Sequence, residues 1–223
     1  MKDISIILPS LRPREVNKTI SEFYDTNSDV NYEIIVVSPF EVMGLNVKWI
    51  PESERLGTIM ANNIALAFVK GRYVVYFSDD VSPTTDCLEN MIYFMDKQRA
   101  PFIGAFKMTT PTGKEIGPFG AYNKLYACYG CISIKTMNLV VGYLDMAFKD
   151  SWADIDLSLR VWEAGGSVEI CQDAIVIPRQ IEDDIYKKHR ESFQTDYQTF
   201  LGKWHHKLGK GISRHDGDVN HKL

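Results

Sequence analysis

Three apolar runs, the first interrupted only by Ser5, mark the first third of the chain: ISIIL at residues 4–8, IIVV at 34–37 and YVVYF at 73–77. Runs without polar alternation belong to strands buried on both faces of a parallel sheet. Each run stops on turn chemistry, at Pro9-Ser10, Ser38-Pro39 and Ser78-Asp79-Asp80. Between the runs the period changes to that of a helix. Val16, Ile20, Phe23 and Tyr24 share a face behind Pro13, a residue suited to a first helical turn. Ile59, Asn63 and Leu66, with Met60, Ile64 and Ala67, make a second helical face, and Gly71 reads as its C-terminal cap. Alternating strands and helices predict a parallel α/β sheet with right-handed crossovers.

Further along, Leu88, Met91, Ile92 and Met95 predict a helix capped by Thr84, Thr85 or Asp86. Residues 101–128, rich in Gly, Pro and Thr, read as irregular. A good helix lies in ADIDLSLRVWEAGG, where Ile155, Leu159 and Trp162 are in phase and Gly165-Gly166 ends it. A strand over 167–177 stops at Pro178. Tyr186, Phe193, Tyr197, Phe200, Leu201 and Trp204 then line one side of a last helix. The polar segment after Leu208 reads as a mobile tail.

Composition narrows the class. At 223 residues and 45% hydrophobic, the chain suits one domain with a small appendage and needs no disulfide staples. Of Cys87, Cys128, Cys131 and Cys171, only Cys128 and Cys131 form a CxxC pair, with no second pair at zinc spacing. They read as packing residues in a reducing compartment. The opening MKDISIILPS has too short an apolar run for a signal peptide, and no stretch is long enough to span a membrane. The expected location is cytoplasmic. The net charge of −4 gives no general nucleic-acid footprint, although all five histidines fall in a basic C-terminal region.

Ligands of open parallel sheets bind outside the carboxyl ends of the strands, so Pro9-Ser10, Ser38 and Asp79-Asp80 should converge on one edge. Two adjacent carboxylates repel unless a cation is near. Oxygen ligands of this kind suit Mn2+ or Mg2+ carrying a nucleotide diphosphate. The plain alternative is a solvated turn, for which SDDVSP is good chemistry.

The surrounding motifs add to this. PSLRP, then ERLGTIMANNIALAFVKGRYVVYFSDD, then GYLDMAFKDSWADIDLSLRVWEAGG, in this order over roughly residues 3–178, resemble family 2 glycosyltransferases. The resemblance implies an α/β, GT-A-like fold: a nucleotide-binding, mostly parallel open sheet flanked by helices, with a C-terminal helical extension. It implies a glycosyltransferase domain over 1–180, a helix over 181–208 packed on it, and the tail over 209–223. Carried onto this chain, the donor site would use Pro9, Ser10, Arg12, Ser38, Arg55, Asn63, Ser78 and Asp79. Asp80 would hold the metal. Gly142, Asp145, Phe148, Asp154, Asp156, Leu157, Arg160 and Gly165 match the later block.

The chain departs from the family pattern at several places. Ser78 replaces the first Asp of the metal motif, Ala153 replaces a Glu, and Pro178 falls where a metal-binding His is common. His189 is the substitute ligand, against the plainer account of a surface histidine. The resemblance implies transfer of a sugar from a nucleotide-diphosphate sugar to a saccharide, protein or lipid-linked acceptor, with inversion and Asp154 as general base. A helix N-terminus should keep Asp154 ionised, while simple helix capping is its alternative role. Asp156 is expected to pair with Arg160 at i, i+4. Trp152 would stack on an acceptor sugar or simply be buried. Three rivals remain: a non-catalytic binding module on this fold, a sugar-phosphate nucleotidyltransferase, and transfer to nucleic-acid bases. The second lacks a glycine-rich phosphate loop in PSLRPRE, and the overall charge disfavours the third.

Overall fold

The computed structural model describes residues 2–140 and 143–208. In chain order the first elements are β1 (Lys2–Ile7), α1 (Pro13–Thr26), β2 (Tyr32–Ser38), β3 (Val47–Pro51), α2 (Thr58–Leu66), β4 (Gly71–Tyr76), β5 (Val81–Pro83) and α3 (Cys87–Met95). Then come β6 (Phe102–Thr109), β7 (Glu115–Ile116), β8 (Gly120–Ala121), β9 (Lys124–Leu125), β10 (Gly130–Ser133), α4 (Ile134–Leu139), α5 (Ala153–Glu163), β11 (Ser167–Pro178) and α6 (Asp184–Leu208). The sheet order is β3-β2-β1-β4-β10-β6-β11-β5, with β7 paired to β6. Strands β3, β2, β1 and β4 are mutually parallel, as are β6 and β11. β10 runs antiparallel between β4 and β6. The sheet is thus mixed and mostly parallel, as the resemblance implied, with β10 antiparallel inside it.

The three apolar runs are the central strands, and Ile4, Ile6, Ile34, Ile35, Val74 and Val75 are fully buried. β3 was not predicted. It is a half-buried edge strand interrupted by Lys48, so it lacks the unbroken apolar run. β6 was read as irregular, yet it lies inside the sheet. Its Gly104 clears space for α3, because a Cβ there would sit 2.8 Å from the sulfurs of Met91 and Met95. Gly71 does not cap α2, which ends at Leu66. It opens β4, where a Cβ would approach the backbone N of Ser5 to 2.5 Å. The Ser5 hydroxyl bridges this crossing, donating to Glu33 (2.6 Å) and accepting from the Gly71 N–H (2.8 Å).

The cap of α3 also differs from expectation. Asp86 takes a left-handed conformation and makes no side-chain cap. Asn27, just past α1, instead accepts from the Leu88 N–H at 2.9 Å. α6 lies against the start of α5. Phe200 and Trp204 are buried, and Trp152 packs among Phe193, Tyr197 and Phe200 with ring centroids 4.7–5.4 Å apart. The expected tail over 209–223, and Gly142 of the later motif, lie outside the described residues.

Candidate active site

The carboxyl ends of β1 and β4 open on a cleft with two connected lobes. The larger has a volume of about 340 Å³ and reaches Asp80, Trp152 and Asp154. The smaller, about 140 Å³, is lined by Pro9, Ser10, Arg12, Arg55, Ser78, Asp79 and Asp80. Thr58, Asn62, Ser78, Asp80, Asp150 and His189 border both lobes.

The two adjacent carboxylates play different structural parts. Asp79 is 3% exposed and fully engaged: it accepts from the Ser10 hydroxyl and from Arg12 Nη1 at 2.9 Å. Burial raises its pKa, an effect that Ser10 and Arg12 oppose and Asp80 reinforces. Arg179 secures the backbone of this turn by donating to the Asp79 carbonyl. Asp80 Oδ1, by contrast, is buried without a hydrogen-bond partner. One carboxylate holds the turn together, and the other borders the cleft with an acceptor oxygen unsatisfied.

Arg12 joins three elements. Besides Asp79, it donates from Nε and Nη2 to Asp183 at 2.7 and 3.0 Å, and Asp183 caps α6 through the Tyr186 N–H. The Arg12 hydrogen bonds hold the Asp183 carboxyl well below its ordinary pKa. α6 thereby carries His189 to the cleft. Its Nε2 lies 3.3 Å from Thr58 Oγ1 and 3.9 Å from Asp150 Oδ1. Burial lowers the His189 pKa against the pull of Asp150, so the ring is neutral near pH 7. Asp150 is almost wholly buried and accepts from the Thr58 N–H and the Ser192 hydroxyl, each at 2.9 Å. Burial opposes its ionisation, but Thr58, His189, Ser192 and Arg55 outweigh that and lower its pKa.

Asp154 lies in the first turn of α5 and borders the larger lobe. Its Oδ1 accepts from the Ile155 N–H at 2.9 Å. The helix terminus does not keep its pKa low. Burial pushes it up to about 6, the Ile155 N–H offsets only part of this, and Asp156 adds to the rise. Asp156 is separate from the cleft. It is fully buried, with Arg160 Nε at 2.8 Å, Trp204 Nε1 at 2.8 Å and Lys203 Nζ at 2.7 Å.

Several sequence candidates sit elsewhere. The Ser38 hydroxyl is fully buried and donates to the Phe40 carbonyl at 2.6 Å, away from both lobes. Asn63 clamps the loop before α5, donating to the Leu144 carbonyl (2.8 Å) and accepting from its N–H (3.1 Å). Asn62, one residue earlier and so rotated about 100° around the helix, borders the cleft instead. Trp152 is 7% exposed with neighbouring rings crowded about it, which leaves no open face for stacking on a sugar. Arg55 borders the smaller lobe, 3.8 Å from Asp150. The sequence reading missed Glu52, Thr58, Tyr76, Tyr129 and Asp150. Glu52 follows the unpredicted β3, and burial raises its pKa against the Leu56 N–H and Arg55. Asp150 stands in the motif block, four residues before Asp154, and that spacing was the only signal for it.

This sheet edge has one carboxylate, Asp80, with an oxygen lacking a hydrogen-bond partner, bordering both lobes, and a second, Asp154, bordering the larger one. The glycosyl transferase family 2 model matches residues 23–129. The fold is similar to S. aureus TarS 1–349 in complex with UDP-GlcNAc, with a TM-score of 0.65 and 14% identity over 98% of this chain and 70% of that one. It is similar to the mannosyltransferase PcManGT from Pyrobaculum calidifontis in complex with GDP-Man and Mn2+, with a TM-score of 0.67 and 14% identity over 94% and 65% of the two chains. GalNAc-T7 with UDP, GalNAc and Mn2+ gives a TM-score of 0.65 at 11% identity, over 93% and 53%. No curated protein sequence matches the chain. The chain is similar to glycosyltransferase family 2 over residues 23–129 and shares the GT-A fold of these solved structures. Among the described residues, no helix is long and apolar enough to cross a membrane.

Proposed function

We propose that this chain moves a sugar from a nucleoside-diphosphate sugar to an acceptor hydroxyl with inversion, using Asp154 as general base and Asp80 at the diphosphate. One observation carries this: Asp80, with a buried, unpartnered oxygen, and Asp154, with a pKa raised to about 6, border the same cavity. A base of that pKa is ionised at neutrality and still accepts a proton in the transition state. Asp154 takes the proton of the acceptor hydroxyl. The acceptor oxygen forms its bond to the anomeric carbon on the face opposite the diphosphate. The bond from that carbon to the diphosphate oxygen breaks, and its electron pair leaves on the diphosphate.

The donor set fits an ion shared with the diphosphate. Among the described residues no three His, Cys, Asp or Glu side chains are grouped to hold a metal by themselves. Mg2+ and Mn2+ commonly take one or two protein ligands and complete their shell with phosphate oxygens and water. Asp80 Oδ1 and the neutral His189 ring are the groups that would hold it. Bound there, Mn2+ or Mg2+ would act as a Lewis acid toward the developing diphosphate charge. Ser10, Arg12 and Asp79 keep the Asp80 turn in place.

Hydrolysis and binding of a panel of UDP- and GDP-sugars, with Mn2+ or with EDTA, test the proposal. Turnover of at least one donor, lost in EDTA and in Asp80→Asn, is the expected result. Binding without turnover of any donor would favour the non-catalytic module.

A further inference from the structure

In the proposed reaction the transferred sugar lies between Asp80 and Asp154. Inversion puts the attacking oxygen and the leaving diphosphate on opposite faces of the anomeric carbon, with Asp154 at the first and Asp80 at the second. A side chain within reach of both carboxylates therefore reaches the sugar. Tyr129 is such a side chain, and the mechanism above gives it no part.

Tyr129 borders the larger lobe together with Asp80 and Asp154. It stands one residue before β10, and it is anchored from two sides. Its ring packs against that of Phe77, with centroids 6.0 Å apart. Phe77 borders both lobes and precedes Asp80 by three residues. The Tyr129 carbonyl accepts from the Phe106 N–H of β6 at 3.0 Å. On the other side, the Ala127 N–H donates to Ser158 Oγ at 3.2 Å, and that hydroxyl donates to the Asp154 carbonyl at 2.8 Å. The segment carrying Tyr129 is thus fixed to the strand end before Asp80 and to the first turn of α5.

Among the described residues the Tyr129 hydroxyl has no hydrogen-bond partner. The charges that act on it are those of Asp80 foremost, then Cys128, Asp154 and Asp79. The first three border the larger lobe with it, and Asp79 borders the smaller. Coulombic interaction falls with distance, so the hydroxyl is close to the stretch of cleft that the two carboxylates share. Burial and these neighbours hold its pKa well above the ordinary tyrosine value, and it keeps its proton at neutrality. A protonated hydroxyl can donate to an oxygen or accept from a hydroxyl.

We infer that Tyr129 is a binding and specificity-determining residue for the transferred sugar, its hydroxyl hydrogen-bonding an oxygen substituent of the sugar between Asp80 and Asp154. This rests on the donor cleft proposed above. A site that hydrogen-bonds a substituent selects against sugars lacking it, since its own polar group is then left unpaired.

Tyr129→Phe keeps the ring and its packing on Phe77 and removes only the hydroxyl. The full-length chain and the variant are compared with Mn2+ present. Calorimetry measures binding of UDP and GDP, and of UDP-glucose, UDP-galactose, UDP-N-acetylglucosamine and GDP-mannose. Hydrolysis of the four sugar nucleotides and thermal melting complete the comparison. The expected result is an unchanged melting temperature and unchanged affinity for the nucleoside diphosphates. For the preferred donor, hydrolysis kcat/KM falls about 5- to 30-fold, and the ranking of the sugars flattens. If the wild type binds donors but hydrolyses none, the same fall and flattening are expected in the sugar-nucleotide affinities. A variant that keeps wild-type efficiency, affinities and ranking overturns this inference alone. So does a loss of UDP or GDP affinity as large as the loss in kcat/KM, which would put the hydroxyl on the diphosphate. Wild-type protein that binds none of these nucleotides overturns the donor cleft and this inference with it.

Discussion

Asp154 and Asp156 show how two carboxylates two positions apart on one helix can have unrelated roles. Asp154 keeps one short hydrogen bond and borders the cleft; Asp156 is fully buried among three donors. Asp154→Asn retains size and the hydrogen bond from Ile155 but cannot take a proton. Its transfer rate should fall by about 10²–10⁴-fold in a steady-state assay with nucleotide affinity retained. The wild-type rate, measured against pH, should fall as the solution is acidified through about 6, where Asp154 protonates. Stability runs the other way. The folded pKa lies above the ordinary carboxylate value, so the stability that Asp154 contributes is present below about 4 and lost as pH rises through about 6. The melting temperature of Asp154→Asn relative to wild type should therefore be higher at pH 7.5 than at pH 4. Asp156→Ala leaves Arg160 and Trp204 without their buried partner. It should cost about 3–5 kcal/mol in urea unfolding.

At the scale of elements, caps and crossings come from residues distant in sequence. The helix α3 starts at Cys87, yet its first turn is satisfied by Asn27 at the end of α1. Asn27→Ala should cost about 1 kcal/mol by denaturant melts, as other N-cap deletions do. Asp86→Ala should cost less, because the Asp86 side chain makes no cap bond. The predicted cap failed because three polar residues stood in the right register and the chain used a fourth from elsewhere. Gly71 failed in the same way. A glycine after a helix satisfies the rule for a C-cap, whereas the real constraint is the backbone of β1 lying against it.

At the scale of the molecule, Arg12 ties the ends of β1 and β4 to the start of α6. Lysine presents a point charge and cannot span both carboxylates with a planar fork. Arg12→Lys should therefore loosen α6. Hydrogen exchange over residues 184–196 should speed up relative to wild type, while exchange in β1 and β2 stays unchanged. Equal protection across α6 would show that the aromatic packing around Trp152 is sufficient to hold it.

Local pattern alone determined the central strands, α1, α2, α5 and α6, because each is an apolar run or a helical period that needs no partner to be recognised. The ordered motifs also brought Asp80 and Asp154 to notice, and Pro178 in place of a motif histidine drew attention to His189; all three border one lobe of the cleft. Tertiary structure decided the remainder. It made β6 a central strand despite Gly104, since packing against α3 needed the missing Cβ. It buried Ser38, set Asn63 against the Leu144 backbone and brought Asn62 to the cleft, a matter of helix phase and hydrogen-bond partners that no motif records. It also reversed the expected effect on Asp154. A helix N-terminus is visible in sequence and lowers a carboxylate's pKa; the low-dielectric cavity that raises it is built from residues scattered between Thr58 and Phe193.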